Sequence, residues 1–189
     1  QSPIGKDRAL CLYTGIMFDT GCFRHSNSAP SAHRITADLI EEGDFSVDEV
    51  YRRVFESIPV AKMWLFSEVL RTLCLTSDGR IGWLCATQEM FRKTGTTADD
   101  VEGFVNHIRA IDTVDVSIFV SELADGRSKV GLRSETAIDV GKIAAEFGGG
   151  GHQRASGCVV DVSHQSAIKQ FVVRVQEQMR SSGDAANGT

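Results

Sequence analysis

Residues 147–157 read FGGGGHQRASG. Four consecutive glycines, then a histidine, then an arginine two positions on, are residue types that can hold an anion. Glycine loses more backbone freedom on ordering than any other residue, so such a run is costly unless something uses it. Consecutive glycines let main-chain N–H groups turn toward one point, a concavity suited to phosphate. His152 adds a hydrogen bond, or a charge when protonated, and Arg154 adds a guanidinium fork. The run fits neither familiar phosphate loop. Counted from Gly148 or Gly149, the sixth residue is Gln153 or Arg154, so G-x-G-x-x-G fails, and no Gly-Lys-Ser/Thr follows. Two readings stand: a phosphate-binding loop formed by Gly148, Gly149, Gly150, Gly151 and His152, or a structural helix-to-strand turn.

Two further stretches carry chemistry. Arg133 and Ser134, in GLRSE, offer a guanidinium and a hydroxyl, a pairing suited to phosphate or simply to a solvated strand end. Asp19 ends the apolar stretch TGIMFD, where a buried carboxylate would need a partner or a hard divalent cation. A turn aspartate capping the next backbone N–H explains it equally well. Arg24 and His25 follow closely, while His33, His107 and His164 read as surface histidines.

The elements that must position these residues are set by a chain of 189 residues with 24% charged residues and a net charge of −5. That acidity excludes a global electrostatic attraction to long nucleic acid, though not a local basic pocket. Five cysteines, none in a CxxC pair, fit a reduced, cytoplasmic compartment better than a disulfide framework. No apolar run is long enough to cross a membrane and no leader pattern opens the chain. The start, without methionine and running quickly into an apolar segment, is expected to be that of a piece cut or processed from something longer.

Residues 5–20 read as a buried helix or strand. Ser31 is expected to cap a helix to Glu41, and the capping box Ser46-x-x-Glu49 to start another with Val47, Val50, Val54 and Phe55 inward. A helix over 61–69 links this helical unit, 1–60, to an α+β unit, 70–180. There, Asp78-Gly79 and Asp125-Gly126 mark two hairpins, the first spanning Leu70 to Phe91. A helix from Thr97, a short helix over Ile138–Phe147, a strand CVVDV and a helix over Ala167–Met179 complete a β-β-α-β-β-α-β-α order. Residues 181–189 read as a disordered tail.

Taken together, TGIMFDTGCFR, VGLRSE and IDVGKIAAEFGGGGHQRASG resemble the DHH phosphoesterases, from about residue 9 to 179. The first is similar to their fourth metal motif, and the other two to the DHH-associated domain with its GGGH signature, in the nanoRNase and pAp-phosphatase branch related to exopolyphosphatases. The resemblance implies an α/β (α+β) fold: the C-terminal, helical remnant of a DHH lobe followed by a mixed-sheet substrate-binding domain, with the active site in a cleft between lobes. It implies hydrolysis of short oligoribonucleotides or of 3′,5′-bisphosphorylated nucleotides such as pAp, with two manganese ions activating water and neutralising charge. It makes Asp19 a catalytic manganese ligand, and Arg133, Ser134, Gly148–Gly151 and His152 the phosphate holders, with Arg154, Arg24 and Arg109 as further substrate contacts. Short RNA or nucleotide phosphates are the implied partners, and a homodimer is compatible with them.

The departures carry their own expectation. No DHH triplet stands upstream of Asp19. One carboxylate cannot hold two ions that each take about six ligands. The chain alone is therefore expected neither to bind two metals tightly nor to turn over substrate. Within the family, a cyclic-dinucleotide phosphodiesterase or a RecJ-like single-strand exonuclease stays open. Outside it, the glycine-rich domain that ends alanyl-tRNA synthetases offers a tRNA-binding module without hydrolysis. His152 after the glycines and the TGIMFDTG stretch speak for the phosphoesterase reading.

Overall fold

The computed structural model describes residues 4–25 and 27–186, and the chain divides into two units at residues 58 and 59. The first unit holds α1 (Lys6–Asp19), α2 (Pro30–Gly43) and α3 (Val47–Phe55). Pro30 opens α2, where its missing N–H costs nothing, so the helix starts one residue before the expected Ser31 cap. Ala9, Tyr13, Met17 and Leu39 are its fully buried apolar residues, with Phe45, Val50 and Phe55 packed against them. Val47 and Val54, expected inward, are 40% and 37% exposed.

One half of the capping box forms: Ser46 Oγ accepts from the Glu49 amide at 3.2 Å, while the Glu49 carboxylate accepts from Arg53 at 2.6 Å instead of reaching back to Ser46. Ser46→Ala is expected to weaken α3 by about 1 kcal/mol, read as faster hydrogen exchange of its first-turn amides; unchanged exchange would show that the cap carries nothing.

The second unit is built on a six-stranded sheet in the order β1-β2-β3-β4-β6-β5. Its strands are β1 (Cys74–Leu75), β2 (Ile81–Ala86), β3 (Val116–Glu122), β4 (Ser128–Ser134), β5 (Gly150–His152) and β6 (Ala155–Val160). The helices are α4 (Val60–Leu70), α5 (Gln88–Thr94), α6 (Val105–Arg109), α7 (Val140–Glu146) and α8 (His164–Ala186). Both expected hairpins, β1–β2 and β3–β4, are present. The first closes earlier than expected, because Thr87 turns the chain into α5, its hydroxyl accepting from the Met90 amide at 3.3 Å. β2 and β3 consequently pair in parallel across a helical crossover, as a parallel pair requires. The helix expected from Thr97 contracts to turns and the short α6. The helix α8 continues through Ala186, so residues 181–186 of the expected tail are helical, while 187–189 lie outside the described residues.

Strand alternation sends side chains to two faces. One face, with Ile118, Val120, Val130, Leu132 and Cys158, packs on α7 and α8 around Ile143 and Phe171. The other, with Leu84, Ala86 and Phe119 on β2 and β3, packs on α4, α5 and α6 around Leu65, Phe91 and Ile108. The helix expected as a linker is thus part of this second unit's core. On β4, β6 and β5 the second face is less covered: Gly131, Arg133, Ala155 and Gly157 are half-buried, and Lys129, Gly150, His152 and Val159 are exposed. That open half of the sheet carries Arg133, Gly150 and His152 among the candidate residues. Among the described residues no helix is long and apolar enough to cross a membrane.

Candidate functional site

The register brings Arg133 and His152 onto one face. Ser117 pairs with Arg133, Arg133 with Ala155, and Ala155 with His152, in one row across β3, β4, β6 and β5. Two strand spacings of about 4.8 Å separate the Arg133 and His152 backbones. The residue between them, Ala155, has only a methyl group. The row thus places a guanidinium-bearing and an imidazole-bearing residue on either side of a small one. The next row on this face is Phe119, Gly131, Gly157 and Gly150. Beyond Phe119 it has no side chains.

Arg133 is poorly paired for a half-buried cation. Its one hydrogen bond among the described residues runs from Nη1 to the Leu132 carbonyl at 2.9 Å. Burial, and then the neighbouring positive charge of Arg109, hold its guanidinium below its ordinary range. Arg109, at the end of α6, is itself tied to Glu135 at 3.2 Å. Two neighbouring guanidiniums, of which only Arg109 is paired with a carboxylate, favour a bound anion. Arg154 lies in the two-residue turn joining β5 to β6, beyond the same row: its carbonyl accepts from the Ser134 amide at 3.1 Å and its side chain is exposed.

Ser134 departs from the expected pairing. Adjacent strand residues face opposite ways. Ser134 accordingly points to the α7–α8 side, 2% exposed, where its hydroxyl donates to the Thr136 carbonyl at 3.2 Å. It supports a turn and does not face the row of Arg133.

The four glycines divide by what each does. Gly148, at φ 74°, and Gly149 donate their amides to the Ala145 and Ala144 carbonyls at 3.1 and 2.9 Å, closing the C-terminal end of α7. Their N–H groups are spent on the helix, so the run is not one amide nest of four. Gly149 also has no room for a Cβ, which would lie 2.3 Å from Cys158 Cβ. Gly151 has φ 142°, and a Cβ there would lie 2.5 Å from the Ala155 carbonyl oxygen. Gly150 differs: its φ is ordinary and nothing lies within 4 Å of where its Cβ would stand. The fold needs glycine at 148, 149 and 151, and sets no steric demand for it at 150. The structural-turn reading therefore holds at 148–149, and from Gly150 to His152 the run continues as a strand that edges an open face.

Asp19 and Arg24 lie in the first unit. Gly21, Cys22 and Phe23 follow Asp19 with φ of 56°, 56° and 63°, a left-handed turn rare for side chains larger than glycine. The turn is held by the Thr20 hydroxyl, which accepts from the Phe23 amide at 3.1 Å, and by Arg24 Nε donating to the Gly21 carbonyl at 2.9 Å. Asp19 is exposed rather than buried, and its Oδ2 accepts from Asn27 at 2.8 Å. The Asp19 carbonyl can only accept, so the His25 Nδ1 at 3.2 Å carries the proton there. Among the described residues no group of three or more His, Cys, Asp or Glu side chains is placed to hold a metal ion. Asp19 and its neighbours do not by themselves fit a manganese site.

The sequence reading missed the bare floor beside the arginine. The available signal was Gly131, an isolated glycine inside the hairpin strand SKVGLRS, a pattern that marks close backbone approach.

Residues 84–181 match the model of the DHHA1 domain. The chain is 30% identical over 176 residues to the bifunctional oligoribonuclease and PAP phosphatase NrnA of Thermus thermophilus, covering 93% of this chain and 52% of that protein. It is 27% identical to the Bacillus subtilis protein of the same description, covering 80% of this chain and 47% of that one. The crystal structure of an exopolyphosphatase-related protein from Bacteroides fragilis superposes with a TM-score of 0.85 at 31% identity, covering 92% of this chain and 51% of that one. The chain thus spans about half the length of the relatives it matches.

Proposed function

From the premise that the chain belongs to the DHHA1 domain family, we propose that it is the substrate-holding part of a metal-dependent DHH-family phosphoesterase acting on short oligoribonucleotides or on pAp-like nucleotides. The observation that carries the reading is the row Arg133–Ala155–His152 beside the unfilled Gly150. It presents a half-buried cation, a histidine and open backbone to one small anion. The relatives' descriptions, oligoribonuclease and PAP phosphatase, are those of proteins that act on phosphate esters.

In this reading the second unit does what its geometry allows. Arg133 takes two phosphate oxygens with its fork, and His152 takes a third from across Ala155. Arg109 and Arg154 add positive potential at the rim, which speeds capture more than it strengthens holding. Fixing the phosphate in this way orients the ester for attack by water and so lowers the entropic part of the barrier. Asp19 remains the first unit's proposed contribution to a manganese site whose other ligands are not among the described residues. A cytoplasmic location fits the five free cysteines.

Calorimetric titration of the 189-residue chain with pAp, 5′-AMP and adenosine tests the binding half of this reading. The two phosphorylated compounds are expected to bind and adenosine not to. Equal affinity for all three would remove the phosphate site. With manganese added, no release of phosphate from pAp and no cleavage of a dinucleotide are expected from this chain alone. Robust turnover would show that the described residues build a metal site after all.

A further inference from the structure

The bare row of Gly131, Gly157 and Gly150 is larger than a phosphate needs. It spans three strands, and strand geometry places it about 6.6 Å along the sheet from the row of Arg133. Gly157 has a reason within the chain, because a Cβ would stand 2.8 Å from the Val130 carbonyl oxygen. Gly131 and Gly150 have none: a Cβ at Gly131 would touch nothing closer than 4.0 Å, and one at Gly150 nothing within 4 Å. Glycine inside a strand costs about 0.5–1 kcal/mol relative to alanine. Two such positions in one row, both with room for a methyl, leave a flat floor of peptide planes.

The far end of this floor is furnished. One row further on, Ser121 pairs with Lys129 and Lys129 with Val159, all on the same face. Val159 is 43% exposed and Lys129 is exposed. Ser121, diagonal to Gly131 at the corner of the floor, is 2% exposed, and its hydroxyl has no hydrogen-bond partner among the described residues. The sequence along the face is therefore cation and imidazole, bare floor, then a second cation with an apolar side chain and an unpartnered hydroxyl.

Resting on the phosphate site proposed above, we infer that the glycine floor seats the base of the bound nucleotide and that Lys129 selects a base with a carbonyl edge, guanine foremost. With its phosphate at Arg133 and His152, a nucleotide laid along β4 puts its ring over Gly131, Gly157 and Gly150. The far edge of the ring then meets Lys129, with Val159 against its rim. An ammonium has three donors and no acceptor. Guanine offers it two acceptors, O6 and N7, where adenine presents an amino donor beside N7.

The test is calorimetric titration of the full chain, wild type and Lys129→Met, with 5′-GMP, 5′-AMP and ribose 5-phosphate. Methionine keeps the apolar stem and removes the charge at an exposed position. The wild type is expected to bind GMP about tenfold more tightly than AMP, and both more tightly than ribose 5-phosphate. In Lys129→Met the GMP preference is expected to vanish while ribose 5-phosphate binds as before. Equal binding of GMP and AMP by the wild type overturns the inference, as does an equal loss for all three ligands in the variant, which is a general charge effect. Failure of the wild type to bind ribose 5-phosphate or either nucleotide overturns the phosphate site itself, and this inference with it.

Discussion

Alanine at position 149 is expected to destabilise the second unit by about 3 kcal/mol, enough to lower its melting temperature by about 10 °C. Alanine at position 150 is expected to leave melting unchanged or slightly raised while cutting nucleotide affinity at least tenfold. The two residues are adjacent, and both are glycine. At Gly149 a methyl group would lie 2.3 Å from both Cys158 Cβ and the Gly157 carbonyl oxygen. Its own amide is tied to the Ala144 carbonyl at 2.9 Å, so the backbone cannot retreat without releasing the end of α7. At Gly150 a methyl meets open space, and replacing glycine by alanine stiffens the unfolded chain, a gain of about 0.4–1 kcal/mol. The same methyl stands at the edge of the floor where the ligand would lie. Thermal melts and titrations of the two variants read both effects. Wild-type affinity in Gly150→Ala would show that the bare strand serves no ligand.

This division of labour explains why the glycine run was only half legible as sequence. A helix end followed by glycine is a local signal, and it reports Gly148 correctly. Whether the later glycines form a nest or a strand depends on β6, which supplies the partner residues Ala155, Ser156 and Gly157. The same limit acts at Arg133 and Ser134. Their nearness in sequence suggests joint action, but strand alternation parts them, and His152, nineteen positions on, replaces Ser134 as the partner of Arg133 through a register that no local pattern encodes. Hairpins with Asp-Gly turns were readable for the opposite reason: their pairing is set by the turn itself. The parallel pairing of β2 with β3 was not, since it depends on a crossover and on α5, whose seven residues are too few to display a helical period.

Neutralising Arg133 should move binding and stability in opposite directions. In the unliganded protein its guanidinium is half-buried, and burial first, then the charge of Arg109, lower its pKa. A basic group whose folded pKa lies below its unfolded value opposes folding at every pH where it is charged, and for arginine that includes the whole neutral range. Arg133→Met, which keeps the apolar stem, is therefore expected to melt at the wild-type temperature or above it. Its affinity for 5′-phosphorylated nucleotides is expected to fall about 10- to 100-fold, the worth of one or two charge-assisted hydrogen bonds. Arg133→Lys should recover the charge but not the two-pronged geometry, and so only part of the affinity. Arg109→Met, at the rim and already paired with Glu135 at 3.2 Å, should cost only a few-fold and mostly at low salt. A structural role for Arg133 predicts the reverse pattern, with melting lowered and any loss of binding explained by unfolding. Residues kept for a ligand at the expense of the empty fold are identified by this opposition of signs, because selection for stability alone would have paired or removed a cation held in that position.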